Sequence, residues 1–212
     1  MRCCERGRSM IEMLGVLAIV GVLSVGGISG YSKAMAKVKR DRLISEISET
    51  VIGIRTLYFQ QKNFSTISTT ALARSRVIPS EMYEENDINN DPITLTHALN
   101  GEVLVFPSNG SDENDNLAFE IYMLRIDKHA CIALTTMDWG ADPASGFKGM
   151  YIGTEDISEA KMKQVYSNSD QNPSAGIYTP GQHETSVPLQ VPLAHAACAC
   201  PQDTCVVGFK YI

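Results

Sequence analysis

The sequence predicts an α+β protein in which a long N-terminal helix packs on a small antiparallel β-sheet. Three patterns predict this class. An apolar run with a single charged residue leads into a segment of helical periodicity, and alternating apolar and polar residues follow in the second half of the chain. Four of the six cysteines also lie in that half. The length of 212 residues accommodates one folded domain and a membrane-length helix.

The apolar run over residues 10–31 is long enough to cross a membrane. As a helix it would extend roughly 33 Å, against a hydrocarbon core of about 30 Å. Glu12 is its only charged side chain. A carboxylate in this setting is costly and needs a partner. No basic residue lies within the run, so the partner must come from the flanks or from another chain.

A short charged segment precedes the run and ends in Gly7. The combination of charged leader, Gly7, Glu12 five residues later and a long apolar helix resembles the N-terminus of type IV prepilins. The resemblance implies that a prepilin peptidase cleaves between Gly7 and Arg8, so that Glu12 becomes the fifth residue of the mature chain. Two departures are an Arg at position 8, where relatives favour an apolar residue, and the absence of proline from the run.

This resemblance divides the chain into a leader, an apolar helix and a globular domain. The leader comprises residues 1–7, the transmembrane and assembly helix residues 8–31, and the globular domain, with the amphipathic half of the helix, residues 32–212. The implied function is that of a pilus subunit, which waits in the bacterial inner membrane and then polymerises with itself into an extracellular filament. Glu12 would face the amino group of Arg8 on a neighbouring subunit. The partners implied are the peptidase, the assembly machinery and the membrane.

Other functions remain open alternatives. Within the family the chain could be a minor pilin or a type II secretion pseudopilin. A conventional signal peptide, cleaved after Ala36, would instead release a secreted binding domain. We expect no enzyme and no cofactor, because nucleophile–base arrangements and phosphate-binding loops are absent from the sequence. Nucleic-acid binding is not expected, since the basic residues cluster beside the apolar run.

The segment over residues 31–61 has the periodicity of an amphipathic helix. The apolar stripe expected to face the core comprises Ile44, Ile47, Val51, Ile54 and Tyr58. The side chains expected to face solvent are Arg42, Glu46, Glu49 and Arg55. Leu43, Ile52 and Leu57 lie partly off the stripe, and we expect them to serve subunit packing.

Strands are predicted in the second half of the chain. Residues 102–106 and 117–124 form an expected antiparallel hairpin, and residues 205–211 alternate as a final strand. Short helices are expected within residues 69–76 and 156–166, and an irregular segment over residues 168–192. The stretch over residues 117–140 resembles the middle of type IVb pilins.

The four remaining cysteines are Cys131, Cys198, Cys200 and Cys205. An even number in an exported domain predicts disulfides, with three possible pairings. The resemblance implies that Cys131 joins one of the other three, which would close about 70 residues and contribute about 4 kcal/mol. A direct Cys198–Cys200 bridge is disfavoured because it would be strained.

Metal binding is the competing interpretation of these cysteines. His195 with the three last cysteines could form a zinc site, but the spacing is atypical and export oxidises thiols. The acidic stretches over residues 87–91 and 112–116 lack the glycine that a calcium loop requires. The sequence therefore predicts no metal site.

Overall fold

The computed structural model describes residues 10–61, 63–84, 92–110, 116–140, 145–153, 176–178, 180, 186–201 and 204–212. The helices are α1 (Met10–Tyr58), α2 (Thr69–Arg74), α3 (Lys128–Thr135) and α4 (Val191–Ala197), with a 3₁₀ turn at Ser80–Met82. The strands are β1 (Leu95–Thr96), β2 (Glu102–Ser108), β3 (Ala118–Asp127), β4 (Phe147–Gly153), β5 (Ile177–Tyr178) and β6 (Thr204–Tyr211). The chain divides into two compact units, residues 1–39 and 40–212.

In the first unit, α1 is apolar and uncovered. Every large hydrophobic side chain described between Met10 and Tyr31 is exposed. By length and composition alone, α1 is able to cross a membrane. The prediction of an apolar, membrane-length N-terminal helix is therefore confirmed.

In the second unit, six strands form one antiparallel sheet in the order β1-β2-β3-β6-β4-β5. The predicted hairpin is present, with Val103 opposite Met123 and Ser108 opposite Ala118. The predicted last strand is β6, which lies between β3 and β4. The α+β prediction is confirmed.

The core lies between the second half of α1 and one face of the sheet. Ile47, Val51, Ile54 and Tyr58 are buried as predicted, and they cluster with strand residues such as Phe209. A helix of this kind buries a stripe wide enough to include positions beside the strict i, i+3, i+4 series. The buried stripe of α1 is accordingly broader than the sequence pattern indicated.

Two predictions for this helix are wrong. Leu43 is fully buried in the core and so is not free for subunit packing, whereas Ile52 is exposed as expected. Glu46 was expected to face solvent but is buried. Its burial is possible because the carboxylate has partners in Arg42 and in the backbone N–H of Ala98.

Several short elements were not predicted. Strand β4 contains the sequence Phe147-Lys148-Gly149, and its pairing with β6 shifts register at that point, so its alternation is broken. Helix α3 begins at Lys128, and the carboxylate of the preceding N-cap residue, Asp127, accepts hydrogen bonds from the N–H groups of His129 and Ala130. Strand β5 and the start of α4 lie within the segment expected to be irregular. The helix expected over residues 156–166 lies outside the described residues.

Candidate assembly site

The candidate assembly site is the uncovered N-terminal half of α1. Glu12 lies in the first turn of the helix and is exposed. A carboxylate is favourable there because the helix N-terminus carries partial positive charge. Gly7 and Arg8 lie outside the described residues, so the pairing of Glu12 with Arg8 and the cleavage between Gly7 and Arg8 stay predictions.

Small residues recur along this half of the helix. Gly15, Gly21, Gly26 and Gly30 each have open space where a Cβ would lie. The Ser24 hydroxyl donates to the carbonyl of Val20 at 2.8 Å, so its polarity is satisfied within the helix. Small residues allow helices to approach closely in apolar surroundings. The segment can therefore pack closely against another helix along much of its length.

The second half of α1 is fixed to the sheet by a polar network. Arg42 Nε lies 3.3 Å from Glu46 Oε1, and Arg42 Nη2 lies 3.0 Å from Glu81 Oε1. Glu46 Oε2 accepts a 2.9 Å hydrogen bond from the N–H of Ala98. The network joins the helix to the 3₁₀ turn and to the turn that follows β1. It therefore fixes this part of α1 against those two turns.

His97 organises the turn between β1 and β2. The N–H of Leu99 donates to Nδ1 at 3.2 Å, which makes Nε2 the protonated nitrogen and the donor to the Leu124 carbonyl at 2.7 Å. The ring is 3% exposed. This burial lowers the pKa of His97 below its usual value, against the opposing effect of the Leu124 carbonyl. His97 is thus a buried neutral imidazole.

Two disulfides close the C-terminal region. Cys131 of α3 is bonded to Cys198 at the end of α4, with Cα atoms 5.9 Å apart. Cys200 is bonded to Cys205 of β6, with Cα atoms 5.4 Å apart. The disulfide-closed region predicted for the C-terminus is confirmed, and this pairing is one of those left open. With all four sulfurs in disulfides, the thiolates that the zinc alternative required are not formed.

The sheet contains a buried charged cluster that was not predicted from the sequence. Glu120 is fully buried and accepts hydrogen bonds from Ser108 Oγ at 2.5 Å and from the Tyr122 hydroxyl at 2.6 Å. Lys210 Nζ lies 3.9 Å from the same carboxylate. Glu120 and Lys210 stand opposite each other on β3 and β6. Nothing in the strand alternation distinguishes this pair from two solvated residues, so only the strand pairing could reveal it.

Metal ligands do not converge in the part of the chain that the structure describes. No group of three or more His, Cys, Asp or Glu side chains there could hold a metal ion. Of the stretches 87–91 and 112–116 considered above for calcium, residues 87–91 and 112–115 lie outside the described residues.

The fold and this site define a class of protein: an α+β domain whose own N-terminal helix leaves a membrane-length apolar surface uncovered. Comparison with known proteins narrows that class. A family model described as PilS N terminal matches residues 37–207. The major structural subunit of the bundle-forming pilus of Escherichia coli O111:H- is 30% identical over 184 residues, which cover 86% of this chain and 87% of that protein. The same subunit from E. coli O127:H6 (strain E2348/69 / EPEC) is 29% identical over the same shares. A crystal structure of the type IV b pilin from Salmonella typhi is 14% identical with a TM-score of 0.48, covering 80% of this chain and 97% of that one.

The chain belongs to the family described as PilS N terminal and is a type IV pilin. It is a structural subunit of a pilus and not an enzyme. As such it polymerises with copies of itself into a surface filament.

Proposed function

We propose that this chain is the major subunit of a bundle-forming pilus. The observation that carries the proposal is its similarity to two major pilus subunits along 86% of its own length and 87% of theirs. A minor pilin or a secretion pseudopilin would share the N-terminal helix, but here the similarity extends well beyond the 49 residues of α1. A major subunit is abundant and supplies the bulk of a long filament, which is how this role is distinguished experimentally.

Assembly on this proposal begins with the precursor in the inner membrane. A prepilin peptidase removes residues 1–7, and the assembly machinery then extracts the subunit and adds it to the filament. Support comes from Gly7 five residues before Glu12 and from the uncharged apolar stretch over residues 13–31 that follows. The apolar halves of α1 pack together at the filament centre, because leaving their exposed side chains in water would be unfavourable.

Glu12 sets the axial register of the filament on this proposal. Its carboxylate pairs with the new amino group of Arg8 in a neighbouring subunit, which offsets the cost of burying a charge among apolar helices. The exposed position of Glu12 in the first turn leaves the carboxylate accessible to another chain. A subunit added out of register would bury Glu12 without a partner.

The test is a set of substitutions at Glu12. We expect Glu12→Ala and Glu12→Gln to be processed normally but to form no or few pili, because both remove the charge that pairs with the amino group. Glu12→Asp keeps the charge and should retain part of the assembly. Surface pili are counted by electron microscopy and by immunoblot of sheared filaments.

Intact mass and N-terminal sequence of the membrane-extracted subunit provide the control. A mature start at Arg8 in every variant shows that cleavage is unaffected. A start at Lys37 would mean ordinary secretion and would refute the prepilin function. Normal filaments from Glu12→Ala would refute the role of Glu12 in setting the register but not the prepilin function.

A further inference from the structure

A strongly basic segment follows the apolar half of α1. Residues 33–42, here called the basic collar, contain Lys33, Lys37, Lys39, Arg40 and Arg42 against one acidic residue, Asp41. The collar is part of the continuous helix α1. Lys33, Lys37 and Arg40 follow one another at spacings of four and three residues, which places them on one face of that helix.

Most of the collar has no acidic partner within the described part of the chain. Arg42 is paired with Glu46 and Glu81. No carboxylate among the described residues lies within 4.0 Å of Lys33, Lys37, Lys39 or Arg40. The three lysines are exposed and Arg40 is half-buried. The collar therefore contains three exposed lysines and one half-buried arginine without an ion pair among the described residues.

The remainder of the chain has the opposite charge. Residues 43–212 contain ten basic and 21 acidic residues, a formal charge of −11, whereas the collar carries +4. Exposed carboxylates in the described part include Glu84 and Glu102, neither of which has a basic side chain within 4.0 Å there. A filament brings many such acidic units close together, and their mutual repulsion opposes stacking.

We propose that the basic collar of one subunit binds the acidic globular unit, residues 43–212, of a second copy in the filament. This inference rests on the proposed function, since it requires polymerisation. The pairing neutralises part of the negative charge that stacking would otherwise concentrate. Charge complementarity of this kind favours the correct relative placement of two surfaces and speeds their encounter. The collar thus complements the apolar helix: burial of the apolar side chains drives association, and the collar selects which surfaces meet.

The experiment is a matched pair of double charge reversals in the full-length chain in its native host. The test variant is Lys37→Glu with Arg40→Glu in the collar. The control variant is Arg125→Glu with Lys148→Glu, which reverses two exposed basic side chains on β3 and β4. Both change the net charge by the same amount, so a general effect of charge would act on both alike.

We expect the collar reversal to lose most of its surface pili and the control reversal to keep them. The conservative variant Lys37→Arg with Arg40→Lys should assemble normally, because both charges are retained. Wild-type filaments should also release subunits more readily in about 1 M salt than in about 0.15 M, where the screening lengths are about 3 and 8 Å. The control filaments should show the same salt response as wild type.

Equal assembly of the two double reversals would overturn the proposal, as would filaments indifferent to salt. Processing and orientation of the unassembled subunit are followed by mass and by protease accessibility. If the collar reversal is not cleaved or inserts the wrong way round, the collar acts at the anionic membrane surface and the subunit contact is refuted. Absence of pili in the wild type would instead refute the proposed function itself.

Discussion

His97 shows how a single buried side chain connects distant parts of this pilin. Its two ring nitrogens bind the turn after β1 and the Leu124 carbonyl of β3. Leu124 lies where the pairing of β3 with β6 shifts register, between Met123 and Ile126. A carbonyl at such an irregularity lacks a regular ladder partner, and the imidazole supplies one.

Because the buried imidazole of His97 is neutral in the folded chain, we expect the stability of the chain to depend on pH. Burial lowers the pKa of His97 in the folded chain, so the unfolded chain binds the proton more readily. The stabilising difference is fully present above about pH 6.5, the ordinary value, and is lost as the pH falls through 6.5 toward the folded-state pKa. Denaturant unfolding of the full-length chain in detergent at pH 7.5 and 5.5 measures the loss.

The variant His97→Gln isolates the effect. At pH 7.5 it should be less stable by about 1–3 kcal/mol, because a buried backbone group loses its partner. Its stability should then fall less than that of the wild type between the two pH values. Parallel decline of both proteins would show that other groups cause the acid sensitivity.

Gly53 is required by a close backbone approach within the globular unit. A Cβ at this position of α1 would lie 2.0 Å from the carbonyl oxygen of Val77. Glycine disfavours a helix by about 1 kcal/mol relative to alanine, so the residue is retained for space and not for helix formation.

Alanine scanning of the glycines in α1 should therefore divide them into two groups. We expect Gly53→Ala to lower the free energy of unfolding by about 1–3 kcal/mol, because the Val77 backbone must move. Gly21→Ala meets open space and should leave the unfolding of the globular unit unchanged. Thermal unfolding of both variants in detergent decides the matter, and equal midpoints would contradict the steric explanation.

At the level of elements, one disulfide holds α3 to the end of α4, and the other holds the segment after α4 to β6. Cys131 and Cys198 are 67 residues apart, whereas Cys200 and Cys205 are five apart. A cross-link stabilises chiefly by restricting the unfolded chain, and the effect grows with the length of the loop that it closes. The two bridges should therefore differ in their contribution to stability.

Removing each bridge in turn tests this difference. Replacing Cys131 and Cys198 by alanine should cost about 4 kcal/mol, and replacing Cys200 and Cys205 about 2 kcal/mol. Urea unfolding of the two double variants, compared with the wild type under oxidising conditions, gives both values. A larger loss of stability on replacing Cys200 and Cys205 would contradict this. It would show that packing around the small loop contributes more than the loop-length argument allows.

The elements recovered from the sequence are those with a strong local periodicity. The apolar half of α1, the β2–β3 hairpin and β6 all repeat over many residues, so their patterns predicted them. Strand β4 is interrupted at Lys148 and Gly149, and α3 and α4 have eight and seven residues. Segments this short carry little periodic information and acquire their structure from tertiary packing.

The sequence identified which residues belong to the site more completely than it identified which of them contact each other. The four cysteines and the carboxylate at position 12 were identified because their chemistry is unusual where they occur. The choice of Cys198 as the partner of Cys131 depends on where α4 lies, which no spacing reveals. Glu46 and Glu120 were not recognised as buried because one partner of each, Ala98 and Lys210, is distant in the sequence.

At the scale of the whole molecule, the last strand of the sheet joins its two parts, β1–β3 and β4–β5. Strand β6 pairs with β3 along one edge and with β4 along the other. Phe209 and Val207 of β6 also contribute to the core against α1. The meander from β1 to β3 and the pair β4–β5 therefore meet only through the final residues of the chain, within the strands that the structure describes.

This topology makes the globular unit sensitive to whether the chain is complete. Without residues 204–211, the two parts of the sheet have no strand between them. We expect a chain cut before residue 204 to keep two open strand edges, which favour pairing with other chains. Loss of this one strand would therefore remove two strand interfaces of the sheet at once.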